Sequence, residues 1–136
     1  MVSFGGVAHL ALTVRDMSAS VAFYETVLGF ERVGDVVEGP PDAGHPRRLM
    51  RHRSSGLVLG IHEPYRRSGD RFDPQRTGLD HVAVAVGTRE DLESWASALA
   101  DHGVEHSPIR DAGYAEFVSF CDPDGIAWEL WHATGA

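Results

Sequence analysis

The sequence contains one cysteine, Cys121, among its 136 residues. A single thiol excludes an internal disulfide and is typical of a protein in a reducing compartment. Long hydrophobic runs are absent too, since no stretch approaches the roughly 20 apolar residues that a membrane span requires. The opening residues, MVSFGGVAH, lack the basic and apolar segments of a secretory signal. We therefore expect a cytoplasmic protein that does not associate with a membrane.

Basic residues are scarce as well. The chain has 12 Lys and Arg against 20 Asp and Glu, which gives a formal net charge of −8. Nucleic-acid binding depends mainly on Lys and Arg contacts to phosphates, so this balance argues against a nucleic-acid partner. Hydrophobic residues make up 43% of the chain. A chain of this length and composition fits one domain, or two small modules that share one core.

The first part of the chain, 1–63, predicts a strand, a helix and three further strands. The apolar and β-branched stretch at 6–14 reads as a strand, with His9 on the face opposite its larger apolar residues. Asp16 or Ser18 is a suitable N-cap for a helix over about 17–28, and Gly29 is a suitable residue to end it. The remaining predicted segments are strands at 30–37, about 47–53 and 57–63, with a loop at 38–46.

The second part, 78–136, repeats this order after a polar and basic linker at 64–77. GLDHVAVAV at 78–86 matches GVAHLALTV at 6–14 nearly residue for residue, and it places His81 where the first copy has His9. The other predicted segments are a helix over about 88–102 and strands near 104–109, 114–121 and 126–132. The sequence therefore predicts an α+β fold of two βαβββ modules, with a curled mixed sheet and helices on its outer face.

The last predicted strand, IAWELWH at 126–132, carries one acidic residue, Glu129, between two tryptophans. Because side chains alternate across a strand, Glu129 shares a face with Trp131 and lies opposite Trp128. A buried and unpaired carboxylate is costly, so Glu129 needs a partner. That partner is either an arginine, such as Arg48 or Arg110, or a metal ion.

His9 and His81 are the other candidate ligands, because they are equivalent positions of the repeat and fall on the same inner face as Glu129. Two imidazoles and one carboxylate are typical ligands of a divalent transition metal that keeps positions open for substrate. The alternative for each histidine is a structural role, with its ring nitrogens bonded to backbone. The counterpart of Glu129 in the first module is Gly60.

Three stretches carry a resemblance to a known family: HLALTVRDMSASVAFYETVLGF at 9–30, LDHVAVAV at 79–86 and FCDPDGIAWELW at 120–131. The chain resembles the vicinal oxygen chelate superfamily, also called the glyoxalase/bleomycin-resistance/dioxygenase group. The resemblance implies two βαβββ modules that form a cup and a divalent metal ion in that cup, either Fe, Mn, Zn or Ni. The positions that match the family's ligands are His9, His81 and Glu129.

The resemblance also identifies a departure at Gly60. Glyoxalase I-like members have a fourth ligand at this position, usually a glutamate, and Gly60 has no side chain. The remaining set of two histidines and one glutamate is more similar to the sets of the extradiol dioxygenases and the fosfomycin-inactivating thiol transferases.

Four further positions are assigned to catalysis or substrate binding. His62 lies two residues beyond Gly60. It is either a functional residue, acting as a general acid–base group or as a hydrogen-bond donor that supports a metal ligand, or a histidine near solvent at the rim of the cup. Tyr114 either donates a hydrogen bond to a substrate oxygen or fills space. Trp131 and Gly60 are assigned to the substrate-binding surface, and Trp131 favours a flat or aromatic small molecule.

Two functions remain open at this point. The first is a metal-dependent lyase, dioxygenase or transferase that acts on a small substrate able to chelate the ion through two oxygens. The second is a metal-free protein, similar to bleomycin-resistance proteins, that binds and sequesters an aromatic natural product or drug. Open sheet edges and the resemblance both predict a homodimer. The metal site is then built either within one chain or between two.

Overall fold

The computed structural model describes residues 2–39, 45–66 and 68–135. The chain divides into two compact units, Met1–Asp70 (unit 1) and Arg71–Ala136 (unit 2). The division falls inside the predicted linker 64–77, whose described residues form no helix or strand. Residue 67 of that linker, and residues 40–44 of the predicted loop 38–46, lie outside the described residues.

Unit 1 has the predicted order of a strand, a helix and three strands. Its elements are β1 (Leu10–Thr13), α1 (Met17–Thr26), β2 (Phe30–Val37), β3 (Arg47–His52) and β4 (Val58–His62). The sheet has the strand order β1-β4-β3-β2, in which β1 runs parallel to β4 and the other neighbours are antiparallel.

Unit 2 repeats the same topology. Its elements are β5 (Val82–Ala85), α2 (Arg89–Asp101), β6 (Arg110–Asp111), β7 (Ala115–Cys121) and β8 (Ala127–Ala133). The strand order is β5-β8-β7-β6, with β5 parallel to β8 and the other neighbours antiparallel. The predicted α+β fold of two βαβββ modules is confirmed.

Each unit buries apolar side chains between its helix and its sheet. Helix α1 contacts β2 and β4, and α2 contacts β7 and β8. Alternation along each strand directs one row of side chains to the helix and leaves the other row on the opposite face of the sheet. The fully buried side chains include Tyr24, Met50, Leu59 and Ile61 in unit 1 and Leu92, Leu99, Val118 and Trp128 in unit 2. The opposite faces carry the candidate site residues.

Both helices begin at a side-chain cap and are followed by a glycine. The side chains of Asp16 and Thr88 accept the backbone N–H three residues further along, at 3.1 and 3.0 Å. Gly29 and Gly103 have φ of 78° and 70°, a left-handed conformation that favours glycine and ends a helix. No helix in the described part of the chain is both long and apolar enough to cross a membrane.

The opening strand of each unit is shorter than predicted, so His9 and His81 each lie one residue before a strand. Each opening strand begins close to the point where its parallel partner, β4 or β8, begins. Extending the register from Leu10↔Leu59 places His9 opposite Val58, the first residue of β4. The register of β5 likewise places His81 opposite the first residue of β8.

The predicted strand near 104–109 was wrong. His106 forms a single bridge to Phe120, and the strand itself is only Arg110–Asp111. Pro108 has no N–H to donate to a neighbouring strand, so a continuous ladder cannot run through it. Ser107 still donates its N–H to the carbonyl of Ser119 at 2.9 Å.

Candidate metal-binding site

His81 and Glu129 come together in unit 2. The Nε2 atom of His81 lies 3.3 Å from Oε2 of Glu129, and their side chains are 38% and 15% exposed. Two donor atoms at right angles around a metal ion, each about 2.1 Å from it, are about 3.0 Å apart. The observed separation is therefore close to that of two neighbouring ligands of one ion. The predicted pairing of these two residues is present in the structure.

Asp80 fixes the orientation of the His81 ring. The Nδ1 atom of His81 lies 2.7 Å from Oδ1 of Asp80. An ionised carboxylate can only accept a hydrogen bond, so Nδ1 carries the hydrogen, and in the neutral ring the lone pair is on Nε2. This is the arrangement in which a carboxylate holds a histidine with its other nitrogen facing a metal ion.

The same contacts change the acidity of His81. The hydrogen bond to Asp80 raises the pKa of His81 above its ordinary value of 6.5, and the negative charge of Glu129 adds to this, although partial burial opposes it. A proton on Nε2 competes with a metal ion for the same lone pair. We therefore expect the metal affinity of this pair to increase as the pH rises through the pKa of His81.

Removing Asp80 tests this arrangement. We expect Asp80→Ala to weaken divalent-metal binding about 10- to 100-fold, because residues that orient a ligand have effects of that size. The dissociation constant is measured by titration calorimetry at one fixed pH for all proteins, because the His81 proton competes with the metal ion. Asp80→Asn is the matched control, because its amide oxygen can still accept the Nδ1 hydrogen. This variant should lose less metal affinity than Asp80→Ala. If the wild-type protein and Asp80→Ala bind the metal ion with equal affinity, Asp80 does not orient the ring.

Unit 1 presents the equivalent positions with different side chains. Gly60 pairs with Ala11 of β1, just as Glu129 pairs with Ala83 of β5. The structure therefore places Gly60 at the position in unit 1 that Glu129 occupies in unit 2. His9 is exposed beside this face. Unit 1 thus offers an imidazole from His9 and no carboxylate at Gly60.

His62 fills the space that Gly60 leaves. A Cβ atom placed on Gly60 would lie 3.1 Å from Nε2 of His62 and 3.7 Å from the Cβ of Ala11. The His62 ring also makes an edge-to-face contact with His45, with the ring centroids 5.4 Å apart. His62 therefore lies on the same side of the sheet as Gly60.

The surroundings of His62 favour its neutral form. Burial lowers the pKa of His62 below its ordinary value of 6.5, and the positive charges of His45, Arg47 and His9 lower it further. At neutral pH the ring is therefore uncharged, with one nitrogen free of a proton. Such a ring can accept a proton or bind a metal ion.

An aromatic surface adjoins Glu129 in unit 2. Trp131, two residues along β8 on the same face, is half-exposed and stacks on Phe117, with ring centroids 5.5 Å apart and an angle of 22° between the planes. Tyr114 is 58% exposed and its ring lies 5.7 Å from that of Trp131. We call Tyr114, Phe117 and Trp131 the aromatic surface. It offers flat apolar area on the face of the sheet that carries Glu129.

Neither unit assembles the predicted three-residue ligand set alone. His81 and Glu129 lie together in unit 2, whereas His9 belongs to unit 1. Over residues 2–39, 45–66 and 68–135, no group of three His, Cys, Asp or Glu side chains is placed to hold a metal ion. Of the three predicted ligands, His81 and Glu129 therefore lie in unit 2 and His9 lies in unit 1.

Sequence reasoning missed Asp80 and Phe117. Asp80 directly precedes His81, and the first copy of the repeat has Ala8 in its place, so the difference between copies was a usable signal. Phe117 pairs with Trp131 across two antiparallel strands. Its place beside Trp131 depends on strand register, which the sequence pattern did not specify.

Comparison with known families settles the relationship that the fold and the repeat suggest. Residues 6–130 match the model of the Glyoxalase/Bleomycin resistance protein/Dioxygenase superfamily. The chain belongs to this superfamily. The resemblance drawn from the sequence is therefore confirmed.

The relatives of this chain within the superfamily differ in length. It is 28% identical to the protein YaeR of Escherichia coli (strain K12) over 133 residues, which cover 96% of the chain and 98% of YaeR. It is 25% identical to catechol-2,3-dioxygenase of Bacillus subtilis (strain 168), over 92% of the chain but only 40% of the dioxygenase. It is 27% identical to metallothiol transferase FosB of Bacillus licheniformis, over 92% of the chain and 73% of FosB.

A solved structure shows the same fold along nearly the whole chain. The glyoxylase/bleomycin resistance protein/dioxygenase domain from Frankia sp. EAN1pec superimposes with a TM-score of 0.85 at 30% identity. The match covers 96% of this chain and 99% of that domain. The two βαβββ modules therefore have the same fold as that domain.

Proposed function

We propose that this protein is a metal-dependent enzyme that acts on a small substrate with two neighbouring oxygen atoms. His9, His81 and Glu129 are its proposed metal ligands. The proposal requires His9 to join the His81–Glu129 pair at one ion, either within one chain or between two copies. Three protein ligands leave about three positions of an octahedral ion for substrate and water.

The observation that supports the proposal best is the geometry at His81. Its Nε2 atom faces Glu129 at 3.3 Å, and its Nδ1 atom is bound to Asp80 at 2.7 Å. A histidine that only filled space in a core would not need a carboxylate on each ring nitrogen. A bound divalent ion would act as a Lewis acid, stabilising negative charge as it develops on a substrate oxygen.

The other predicted residues have roles that follow from their positions. His62 is neutral near pH 7 and can accept a proton from the substrate. The Tyr114 hydroxyl, at the exposed end of the aromatic surface, can donate a hydrogen bond to a substrate oxygen. Trp131 offers a flat face to the substrate, and Gly60 adds no side chain of its own to the substrate-binding surface.

The substrate class is an aromatic or flat molecule with adjacent oxygens. The stacked pair of Trp131 and Phe117 supports it, because aromatic rings associate in offset stacks. The similarity to a catechol-2,3-dioxygenase favours a catechol-like compound, and the similarity to a metallothiol transferase favours metal-dependent chemistry. We select catechol as the first probe.

The second candidate function is sequestration of an aromatic compound without a metal ion. The aromatic surface favours it, since Tyr114 and Trp131 present ring area that needs no ion for binding. The glycine at position 60 also favours it, because the side chain that serves as fourth ligand in glyoxalase I-like members is missing.

A homodimer is part of the proposal. Strand β2 is an edge strand whose exposed apolar side chains include Val33 at 46%, Val36 at 39% and Val37 at 42%. Exposed edges of this kind pair readily with another strand. Analytical ultracentrifugation measures the oligomeric state directly.

Metal removal tests the proposed function. We expect protein purified without an affinity tag to contain a divalent ion, and we expect EDTA to lower its melting temperature by roughly 5–10 °C. A ligand present at 100 times its dissociation constant stabilises the folded state by about 2.7 kcal/mol, which corresponds to a shift of this size. Readdition of Fe²⁺, Mn²⁺, Zn²⁺ or Ni²⁺ should restore the melting temperature.

Catechol binding, followed by tryptophan fluorescence, separates the two functions. The enzyme proposal predicts that EDTA weakens catechol binding and that the restoring ion recovers it. A protein without bound metal, insensitive to EDTA and still able to bind catechol would contradict the enzyme proposal and support sequestration.

A further inference from the structure

We propose that an open cleft beside Glu129 takes an anionic group of the ligand, and that Arg110 binds this group. The inference rests on the proposed function and narrows its substrate class. The substrate is then an aromatic molecule with two neighbouring oxygens at one end and a carboxylate at the other. All the residues that carry this inference belong to unit 2.

The cleft lies along the β6 side of the sheet in unit 2 and has a volume of about 550 Å³. Its lining includes residues 104–107, Arg110, Ser119 and Ala127. Ser119 pairs with Glu129 across β7 and β8, and Ala127 precedes Glu129 by two residues on the same strand. Cross-strand partners, and residues two apart along a strand, share a face of the sheet. The cleft therefore opens beside Glu129, on the face of the sheet that carries it.

Arg110 connects this cleft to the aromatic surface. It pairs with Phe117 across β6 and β7, and Phe117 pairs with Trp131 across β7 and β8. These three residues therefore form one row across the same face of the sheet. Because neighbouring strands are about 4.8 Å apart and a strand rises about 3.4 Å per residue, the backbones of Arg110 and Glu129 are about 12 Å apart. An extended arginine side chain and one substituted benzene ring together span such a distance.

The guanidinium group of Arg110 is available to a ligand. Among residues 2–39, 45–66 and 68–135 it has no hydrogen-bond or ion-pair partner, and Glu105, which also lines the cleft, is not paired with it. The other arginines of unit 2 each have a partner: Arg71, Arg76 and Arg89. An arginine in this state keeps all its N–H donors for a ligand, and its planar fork matches a carboxylate through two parallel hydrogen bonds.

A carboxylate carried by an aromatic ring fits this arrangement. The ring stacks on the aromatic surface, which Trp131 and Phe117 already form as a stacked pair, and the carboxylate extends toward Arg110. Ser119 lines the same cleft, and its hydroxyl group offers a further hydrogen bond. The chain has a net charge of −8, which repels anions in general. A preference for an anionic ligand must therefore come from a local cation such as Arg110.

The test uses protein in EDTA, so that binding does not depend on the proposed metal ion. The probes are benzoate and benzamide, which share a ring and a shape but differ in charge, and tryptophan fluorescence follows their binding. We expect the wild-type protein to bind benzoate about 5-fold more tightly than benzamide, as for an exposed ion pair, and Arg110→Gln to bind both equally. Arg89→Gln is the matched control, because Arg89 pairs with Glu116 on the opposite face of the sheet. It removes the same charge and should keep the preference.

The outcomes separate this inference from the proposed function. Equal wild-type affinities for benzoate and benzamide, or a preference for benzoate that survives in Arg110→Gln, would overturn the role of Arg110. With the metal ion restored, 3,4-dihydroxybenzoate should bind more tightly than catechol to the wild-type protein but not to Arg110→Gln. If the protein binds no metal ion, the proposed enzyme function fails, while the comparison in EDTA still decides whether Arg110 binds a carboxylate. Arg110 is exposed, so thermal unfolding of Arg110→Gln should match that of the wild-type protein.

Discussion

Glu129→Gln is expected to weaken divalent-metal binding by at least about 100-fold. Residues that merely orient a ligand account for about 10- to 100-fold, and Glu129 is itself a proposed ligand, so its loss should cost more. The substitution keeps the shape of the side chain and removes its charge. The measurement is a titration of the metal-free variant with Ni²⁺ or Mn²⁺ by calorimetry, at the same pH as the wild-type protein.

Glu116→Gln is a closely matched control. Glu116 lies on the neighbouring strand β7 and is 20% exposed, against 15% for Glu129, but it faces the opposite side of the sheet, where it pairs with Arg89. The substitution Glu116→Gln removes the same charge from the same unit, and Glu116 does not contact His81. We expect Glu116→Gln to bind metal as the wild-type protein does. An equal loss of affinity in both variants would indicate a general effect of charge and would contradict ligation by Glu129.

Glu129→Gln should have little effect on the stability of the metal-free protein. The ion pair with His81 is partly exposed, and pairs of that kind contribute about 0–1 kcal/mol. A large loss of stability without metal would mean that Glu129 has a structural role. Unfolding by urea, with and without the ion, measures the two contributions separately.

Most of the fold was predictable from the sequence because periodicity, capping and turn residues agree in both units. Strand β2 has the predicted bounds, Phe30–Val37, and α1 begins as predicted after Asp16. The errors came from pairing between strands. The opening strands are limited by where their parallel partners begin, and Pro108 interrupts the edge of the second sheet. These effects depend on neighbours in space, which periodicity along the chain does not encode.

The site was predictable only in part, for a similar reason. The repeat identified His9 and His81 as equivalent, and alternation placed Glu129 on the face that His81 reaches. The approach of His62 to Gly60 could not be predicted, because it depends on a rotamer and on packing against His45. Sequence patterns thus found the equivalent positions, whereas the contacts between side chains required coordinates.

Trp128→Ala is expected to lower the free energy of unfolding by about 3–5 kcal/mol. Trp128 is 1% exposed on β8, on the face that packs against α2, and it lies between Phe120 and Val82 in the sheet. Truncation of a buried tryptophan removes its transfer free energy and leaves a cavity that the surrounding side chains fill only partly. This loss is a large fraction of the 5–15 kcal/mol by which a typical domain is stable. Urea unfolding followed by circular dichroism measures it.

Trp131→Ala provides the matched comparison, because it removes the same side chain from the opposite face of the same strand. Trp131 is only partly buried and stacks on Phe117, so its loss should cost less stability than the loss of Trp128. It should instead weaken binding of catechol, because it removes the centre of the aromatic surface. Trp128→Phe, which retains a ring in the core, should lose less stability than Trp128→Ala. Equal stability losses for Trp128→Ala and Trp131→Ala would contradict the assignment of one face of β8 to the core and the other to the ligand.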